Sequence, residues 1–290
     1  MTRPQWCSET IIPSVRMSYK ASRILARVKT AYQKAVVFEN ESFGRVLMLD
    51  DAVQTSTADE FVYHEMLAHV PLFTHAGAAD VLIIGGGDCG LADEVLKHEA
   101  VRSVTQVEID AKVTELAREY FADINGSVFS DPRFELHHGD GAAFVRTTEK
   151  SFDVALIDST DPVGPGRVLF EPEFYAAVRK RLKPGGVLVV QAGVPFLQKH
   201  SFSMAIRNLA STFAVVECYL LTSPTYFGGH MALGWASESL KPDSVSLETL
   251  MERHAASGLK TRYYTPQVHK AAFALPPYIG EMLARAKEAR

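Results

Sequence analysis

Cysteine is scarce in this chain. Cys7, Cys89 and Cys218 are the only three among 290 residues, and they stand far apart. Their spacing supports neither a metal site nor a disulfide framework, which points to a reducing, cytoplasmic setting. Long apolar runs are missing as well. The longest, such as Val81–Ile84 and Gly186–Val190, are strand-sized and far short of a membrane span. The N-terminal Met-Thr-Arg-Pro-Gln-Trp has no apolar signal core. There is no excess of positive charge: the formal net charge of −4 offers no field for nucleic acid. Internal repeats and low-complexity segments are not visible. What remains is ordinary globular composition, 47% hydrophobic and 22% charged, in a chain long enough for one large domain or two modest ones.

Two regimes follow one another. Residues 1–55 alternate with period two, in Arg27–Lys34, Ala35–Phe38 and Arg45–Leu49, with a turn at Asn40–Gly44. This predicts a small N-terminal antiparallel β domain. Asp59–His69 has helical periodicity, and Pro71 is expected to close that helix. From residue 56 to 290 a second domain is expected. Its strand candidates are Val81–Ile84, Val104–Ile109, Phe134–His137, Val154–Asp158 and Val187–Gln191. Its helix candidates are Leu91–His98, Ala111–Phe121, Gly141–Thr147, Pro172–Leu182 and Leu197–Thr212. Alternating β and α predicts an α/β fold, a mostly parallel Rossmann-like sheet with helices on both faces. Ala214–Leu221 and Met231–Ala236 lie too close for a crossover helix and predict an antiparallel edge hairpin. Residues 238–290 read as amphipathic helices broken at Pro276-Pro277.

Val81–Ile84 runs into Gly85-Gly-Gly-Asp-Cys-Gly90, so Gly85, Gly87 and Gly90 satisfy G-x-G-x-x-G between a strand and a helix. Glycines there allow a tight turn and close approach to a nucleotide. Glu108 ends the next strand 18 residues after Gly90, where an acid can bond both ribose hydroxyls. Asp88 disfavours a pyrophosphate at this helix start and favours a cationic co-substrate; it can equally serve as a plain N-cap. Asp140-Gly141 opens a helix after a short strand. The acid there can accept from an adenine amino group, or simply cap the helix.

The densest signal is Asp158-Ser159-Thr160-Asp161-Pro-Val-Gly-Pro165-Gly166, placed at the end of an apolar strand. Two carboxylates at the carboxyl end of a strand, under a stiff loop, can hold and deprotonate a cation. The alternative is an Asx-turn pair at a strand exit. Tyr63 and His64 read as site residues or as a packed helix face, and Tyr226 as a site or a turn residue.

These stretches carry a family. Leu49–Thr55, Asp59–Met66, the Gly-Gly-Gly-Asp88 loop, Val107-Glu-Ile-Asp110, Asp158–Gly166 and Pro224-Thr-Tyr-Phe-Gly-Gly229 together resemble the spermidine synthases, the polyamine aminopropyltransferases, from about Trp6 to Ala236. The resemblance implies a methyltransferase-like domain behind an N-terminal β domain, in a homodimer or homotetramer. It implies decarboxylated S-adenosylmethionine as co-substrate, no other cofactor, no metal, and a diamine acceptor, most commonly putrescine. By position, Gln33 and Glu108 would contact the methylthioadenosine part, with Asp140, Gly141 and Pro165 around its adenine. Asp88 would hold the aminopropyl ammonium. Tyr63, His64, Asp161 and Tyr226 would line the amine tunnel with Ser159 and Thr160, and Trp6 would stand at its far end. Asp158 is the family's proton acceptor. Cys89, Asp93 and Asp51 depart from the family's usual residues, glycine being frequent at position 51. Cys89 and Asp93 suggest one other reading, a non-catalytic polyamine- or nucleoside-binding homologue, and an S-adenosylmethionine-dependent methyltransferase is a further alternative.

Overall fold

The computed structural model describes residues 5–75, 77–162 and 164–289, with the side chain of Pro165 also outside the description. The chain opens with a hairpin, β1 (Gln5–Ile12) and β2 (Val15–Ala21). An antiparallel meander follows, β3 (Arg23–Lys29), β4 (Lys34–Asn40), β5 (Gly44–Leu49) and β6 (Ala52–Ser56). Period-two alternation gives β4 two working faces. Ala35 and Val37 join one apolar cluster, while Val36 and Phe38 join another with Tyr19 of the hairpin. The run Arg27–Lys34, expected to be continuous strand, is broken. The Thr30 hydroxyl accepts from the backbone N–H groups of Tyr32 and Gln33 at 3.0 Å each, a local turn that outcompetes the ladder.

Helix α1 (Glu60–Thr74) runs one turn beyond the expected end, with Pro71 inside it. The proline forfeits one helical hydrogen bond, but Leu72, Phe73 and Thr74 are buried, and their packing outweighs that loss. Then come β7 (Asp80–Gly85), α2 (Gly90–Leu96), β8 (Ser103–Glu108), α3 (Ala111–Tyr120), α4 (Ala122–Asn125), β9 (Phe134–His138), α5 (Gly141–Thr147) and β10 (Phe152–Asp158). After these lie α6 (Pro172–Arg181), β11 (Leu182–Gln191), α7 (Lys199–Ala210), β12 (Val215–Leu221), β13 (Met231–Ser237), α8 (Leu247–Ser257), α9 (Pro266–Ala272) and α10 (Pro277–Glu288).

The seven-stranded sheet has the order β12-β13-β11-β10-β7-β8-β9. Strands β7 to β11 are mutually parallel; β13 pairs antiparallel with both β11 and β12, as the short connection required. Along β10, Val154 and Leu156 face one core with Met66, Leu91 and Leu250, whereas Ala155 and Ile157 face another with Phe174, Ile206 and Ile279. Helices therefore cover both faces. The C-terminal residues are part of this cover. The buried Glu65 carboxylate accepts from the backbone N–H groups of Arg262, Tyr263 and Tyr264 at 2.7 to 2.8 Å, pinning the segment between α8 and α9.

Two consequences position the site. The strand order reverses between β7 and β10, and the carboxyl ends of those neighbours carry Gly85 and Asp158 in register. That is the crevice where open α/β sheets bind ligands. In addition, Leu47 and Leu49 of the meander pack with Val113 and Leu116 of α3, which brings the N-terminal sheet over the same crevice.

Candidate active site

A cavity of about 1040 Å³ lies between the N-terminal sheets and the carboxyl ends of β7, β8, β10 and β11. Every residue that the family resemblance places at the donor or amine site lines it except Pro165, whose side chain lies outside the described residues, as does Val163 of the same loop. Gln33, Gly85, Gly87, Asp88, Glu108, Asp140 and Gly141 surround one part. Tyr63, His64, Asp158, Ser159, Thr160, Asp161 and Tyr226 surround the other. Trp6 also lines the cavity, with 56% of its surface exposed.

The glycine loop is built by close approach. Gly85 has φ of +86°, and a Cβ there would lie 2.0 Å from the Asp158 carbonyl oxygen, so only glycine lets β7 and β10 meet. The Asp158 carbonyl in turn accepts from Gly86 N–H at 2.8 Å. Cys89 takes the left-handed conformation, φ +62° and ψ +13°, that glycine occupies with less strain. Asp51 does the same at φ +64°. Asp93 stands away from the cavity, 3.0 Å from Lys97 in the first turns of α2. None of the three departures removes a group from the cavity wall.

The part beside the glycine loop has a buried acid. Glu108 accepts from Asp110 N–H at 2.8 Å, yet burial is the larger influence and lifts its carboxyl to about 7. Gln33 reaches Asp110 at 3.1 Å, which ties the N-terminal sheet to the strand end that carries Glu108. Asp140 is exposed and accepts from Ala142 N–H at 2.8 Å, so it caps α5 while bordering the cavity. Asp88 likewise accepts from Gly90 N–H at 3.0 Å, and its other oxygen faces His64. Capping and cavity lining coincide in both residues.

The second part is a carboxylate chamber. Tyr63 donates to Asp158 Oδ1 at 2.9 Å and meets the Tyr226 ring edge-on at 5.5 Å. Burial pushes the Asp158 carboxyl up to about 6; Asp88 adds to this, against the opposing pull of His64 and the Tyr63 hydrogen bond. His64 lies 2.8 Å from Glu60 and 3.7 Å from Asp88. Gln198 donates to Asp161 Oδ2 at 2.6 Å while its own carbonyl accepts from Val194 N–H at 2.8 Å. Glu9 of β1 closes the far side; burial, helped by Asp161, raises its carboxyl to about 7 although a bond from the Val53 backbone opposes. The Ser159 hydroxyl oxygen is buried with no partner among the described residues.

Several contributors escaped the sequence reading. Glu60 was readable in principle, because it stands one helical turn before His64. Glu9, Gln198 and Gln54 were not, since only the fold brings them in; the Gln54 carbonyl accepts from Tyr226 at 2.7 Å. Asp59, at the head of the helix motif, has a structural part that its sequence context does not reveal. Its carboxylate accepts from Ser56, Ser223, Thr225 N–H and the Thr225 hydroxyl, and so nails the loop bearing Tyr226 to the start of α1.

A methyltransferase-like sheet, with a second chamber of carboxylates and tyrosines beside its glycine loop, defines a group-transferring enzyme with room for two reactants. The family model for the spermine/spermidine synthase domain matches residues 60–247, and that for the spermidine synthase tetramerisation domain matches residues 5–57. The chain belongs to the spermine/spermidine synthase family, and it is an enzyme of the polyamine aminopropyltransferase type. A polyamine aminopropyltransferase of Ruegeria sp. (strain TM1040) is 49% identical over 97% of this chain and 99% of its own. One from Escherichia fergusonii is 45% identical over 97% and 98%. A spermidine synthase solved in complex with the transition state analogue AdoDATO superposes with a TM-score of 0.92 at 37% identity, over 98% of this chain and 97% of that one. The spermidine synthase of Thermotoga maritima gives 0.89 at 35% identity, over 97% and 96%. Among the described residues, no helix is long and apolar enough to cross a membrane.

Proposed function

We propose that this enzyme moves the 3-aminopropyl group of decarboxylated S-adenosylmethionine to putrescine, giving spermidine and methylthioadenosine. The observation that carries the reading is the buried Asp158 carboxylate, held by Tyr63 at 2.9 Å at the strand end between the glycine loop and the carboxylate chamber. Glu108 and Gln33 hold the ribose side of the donor, and Asp140 and Gly141 border its adenine. Asp88 pairs with the aminopropyl ammonium. Pro165 is part of the same reading through its place in the loop.

The donor carbon beside the sulfonium needs no further activation, because a neutral thioether leaves with the carbon–sulfur electron pair. The acceptor needs a free lone pair, and alkyl amines near pKa 10 arrive as ammonium ions. Asp158 takes that proton; the freed nitrogen forms the new carbon–nitrogen bond as the carbon–sulfur bond breaks. Tyr63 and Tyr226 frame the amine's chain, while Asp161, with Ser159 and Thr160 beside it, holds its position. Positioning in the cavity supplies much of the rate. The reaction as written calls for no cofactor beyond the donor and no metal.

We extend the reading to assembly and location. Residues 1–55 serve as the unit through which a homodimer or homotetramer forms, supported by the tetramerisation family model on that segment. Cys7, Cys89 and Cys218 are all free thiols, which suits the cytoplasm. The deciding test is Asp158→Asn. Methylthioadenosine formation should fall by about 10²- to 10⁴-fold with the fold intact. Full activity in that variant would sink the assignment, and methyl transfer from the carboxylated donor would favour a methyltransferase instead.

A further inference from the structure

We propose that Gln106 and Asn125, two buried carboxamides behind the cavity wall, are positioning residues that fix the peptide planes of the glycine loop and, through them, the Asp88 and Asp158 carboxylates. The inference rests on the donor site proposed above and adds two residues that lie outside its walls.

The sequence of the loop creates the need. Gly85, Gly86 and Gly87 carry no Cβ, so sterics hardly restrict the two peptide units between them. Gly85 and Gly86 both adopt positive φ, +86° and +65°. Cys89 then takes φ of +62°, which strains a residue with a side chain. Local propensity does not select this backbone, so bonds from outside the loop must.

Gln106 supplies two of them. It is fully buried on β8, two residues after Val104 and hence on the same sheet face, which packs on Cys89 and Leu91. Its Nε2 donates to the Gly85 carbonyl at 2.9 Å and to the Gly86 carbonyl at 2.6 Å. Those carbonyls belong to the two glycine–glycine peptides, so one side chain clasps both planes. Asn125 of α4, only 2% exposed, does the same further along. Its Nδ2 donates at 3.2 Å to the Asp88 carbonyl, which belongs to the peptide just before Cys89, and at 3.1 Å to the Ala117 carbonyl in α3. Neither carboxamide lines the cavity, so the loop carbonyls of Gly85, Gly86 and Asp88 face these amides and not the reactants.

A role beyond packing follows from the other end of Gln106. Its Oε1 is buried with no partner among the described residues. An orphaned acceptor is unfavourable, so a residue that only filled this face would be apolar. What the amide contributes is the pair of bonds on the turn. They bear on the chemistry because both carboxylates rest on that turn. Gly86 N–H donates to the Asp158 carbonyl at 2.8 Å, and a Cβ on Gly86 would lie 2.9 Å from Asp158 Oδ2. Asp88 accepts from Gly90 N–H at 3.0 Å. A rotated glycine peptide displaces the base and the ammonium-binding acid together.

Gln106→Met keeps a side chain of similar shape and removes the donors. Hydrogen exchange followed residue by residue should show the Gly86 and Cys89 amides opening about 10-fold faster in that variant, with Leu82 and Ile83 of β7 unchanged. Methylthioadenosine should bind about 10-fold more weakly by calorimetry, and kcat should fall about 10- to 100-fold, with the diamine KM within about twofold of the parent. If Gln106→Met does not fold, Asn125→Ala, which frees one loop carbonyl, should show the same opening at Cys89 and a smaller loss of methylthioadenosine affinity. Unchanged exchange in the loop overturns the proposal. So does exchange that rises equally along β7, the mark of a residue that only stabilises the fold, and so does a loss confined to the diamine KM. Exchange reads the loop whatever reaction the enzyme runs, so failure of this inference and failure of the transfer reaction remain distinguishable.

Discussion

Asp59 offers the sharpest test of how the site is assembled. It is buried, and its two oxygens accept four hydrogen bonds, from Ser56 Oγ at 2.6 Å, Ser223 Oγ at 2.7 Å, Thr225 N–H at 2.7 Å and Thr225 Oγ1 at 2.5 Å. Asp59→Ala removes the acceptor and strands those donors away from water. Hydrogen bonds to a charged group contribute about 1.5–3 kcal/mol each, and they are not additive within one network, so the variant should lose about 3–5 kcal/mol. For a chain of this size that lowers Tm by roughly 5–8 °C. The loop carrying Tyr226 loses its anchor in the same step, and Tyr226 loses its edge-on contact with Tyr63. The kcat/KM for the diamine should therefore fall by about 10- to 100-fold, while donor affinity by calorimetry stays nearly constant, because Asp59 touches no donor-side residue. Ser223→Ala removes one donor of the four and should cost about 1 kcal/mol. Thermal unfolding and steady-state kinetics on both variants decide the matter. If Asp59→Ala unfolds within about 1 kcal/mol of the parent, the network is not what fixes this loop.

Three further outcomes follow from the same geometry. Gln198→Leu deprives Asp161 of its 2.6 Å donor and should raise the diamine KM by roughly 10-fold with kcat less affected, whereas equal loss in both would point to a disturbed fold. His98 and His269 are held neutral, chiefly by burial, with pKa lowered to about 3. The unfolded chain binds those protons near pH 6.5, so stability from this source is present above that pH and is lost between about pH 6.5 and 3, and denaturant titrations across that window should show a steady fall. Glu9, raised to about 7 by burial, should lose its proton when a dicationic amine binds; calorimetry at pH 7 in buffers of different ionisation heat should show proton release that fades at pH 9, and uptake of protons would refute it.

The parts of this molecule that were legible in the sequence are those dictated by local rules. G-x-G-x-x-G, Glu108 and Asp158 each sit at the end of a parallel strand, and strand ends follow from apolar runs bounded by turn residues. The pairing of β12 with β13 was legible because nine residues cannot hold a crossover. What escaped was set by competition between interactions of similar size. Thr30 broke an alternating run because its hydroxyl satisfies two backbone N–H groups at once. Pro71 stayed inside α1 because the residues after it are buried, a fact that periodicity alone does not carry. Glu9 and Gln198 come from segments far from Asp161 in sequence, and nothing local marks them as neighbours. Asp88 and Asp140 show a different limit. Capping and lining were posed as alternatives, whereas one oxygen of Asp88 caps the helix while the other faces the cavity.

The distribution of charge explains how a nearly neutral protein handles strongly cationic reactants. The chain carries a formal net charge of only −4, yet Glu9, Asp88, Glu108, Asp158 and Asp161 all line one cavity. Burial raises the proton affinity of Glu9, Glu108 and Asp158, which is the signature of anions desolvated without enough countercharge. A donor with a sulfonium and an ammonium, together with a diamine, would supply that countercharge. The cost of burying the carboxylates is met when the protein folds, and binding recovers it, which favours polycations over neutral ligands of the same shape.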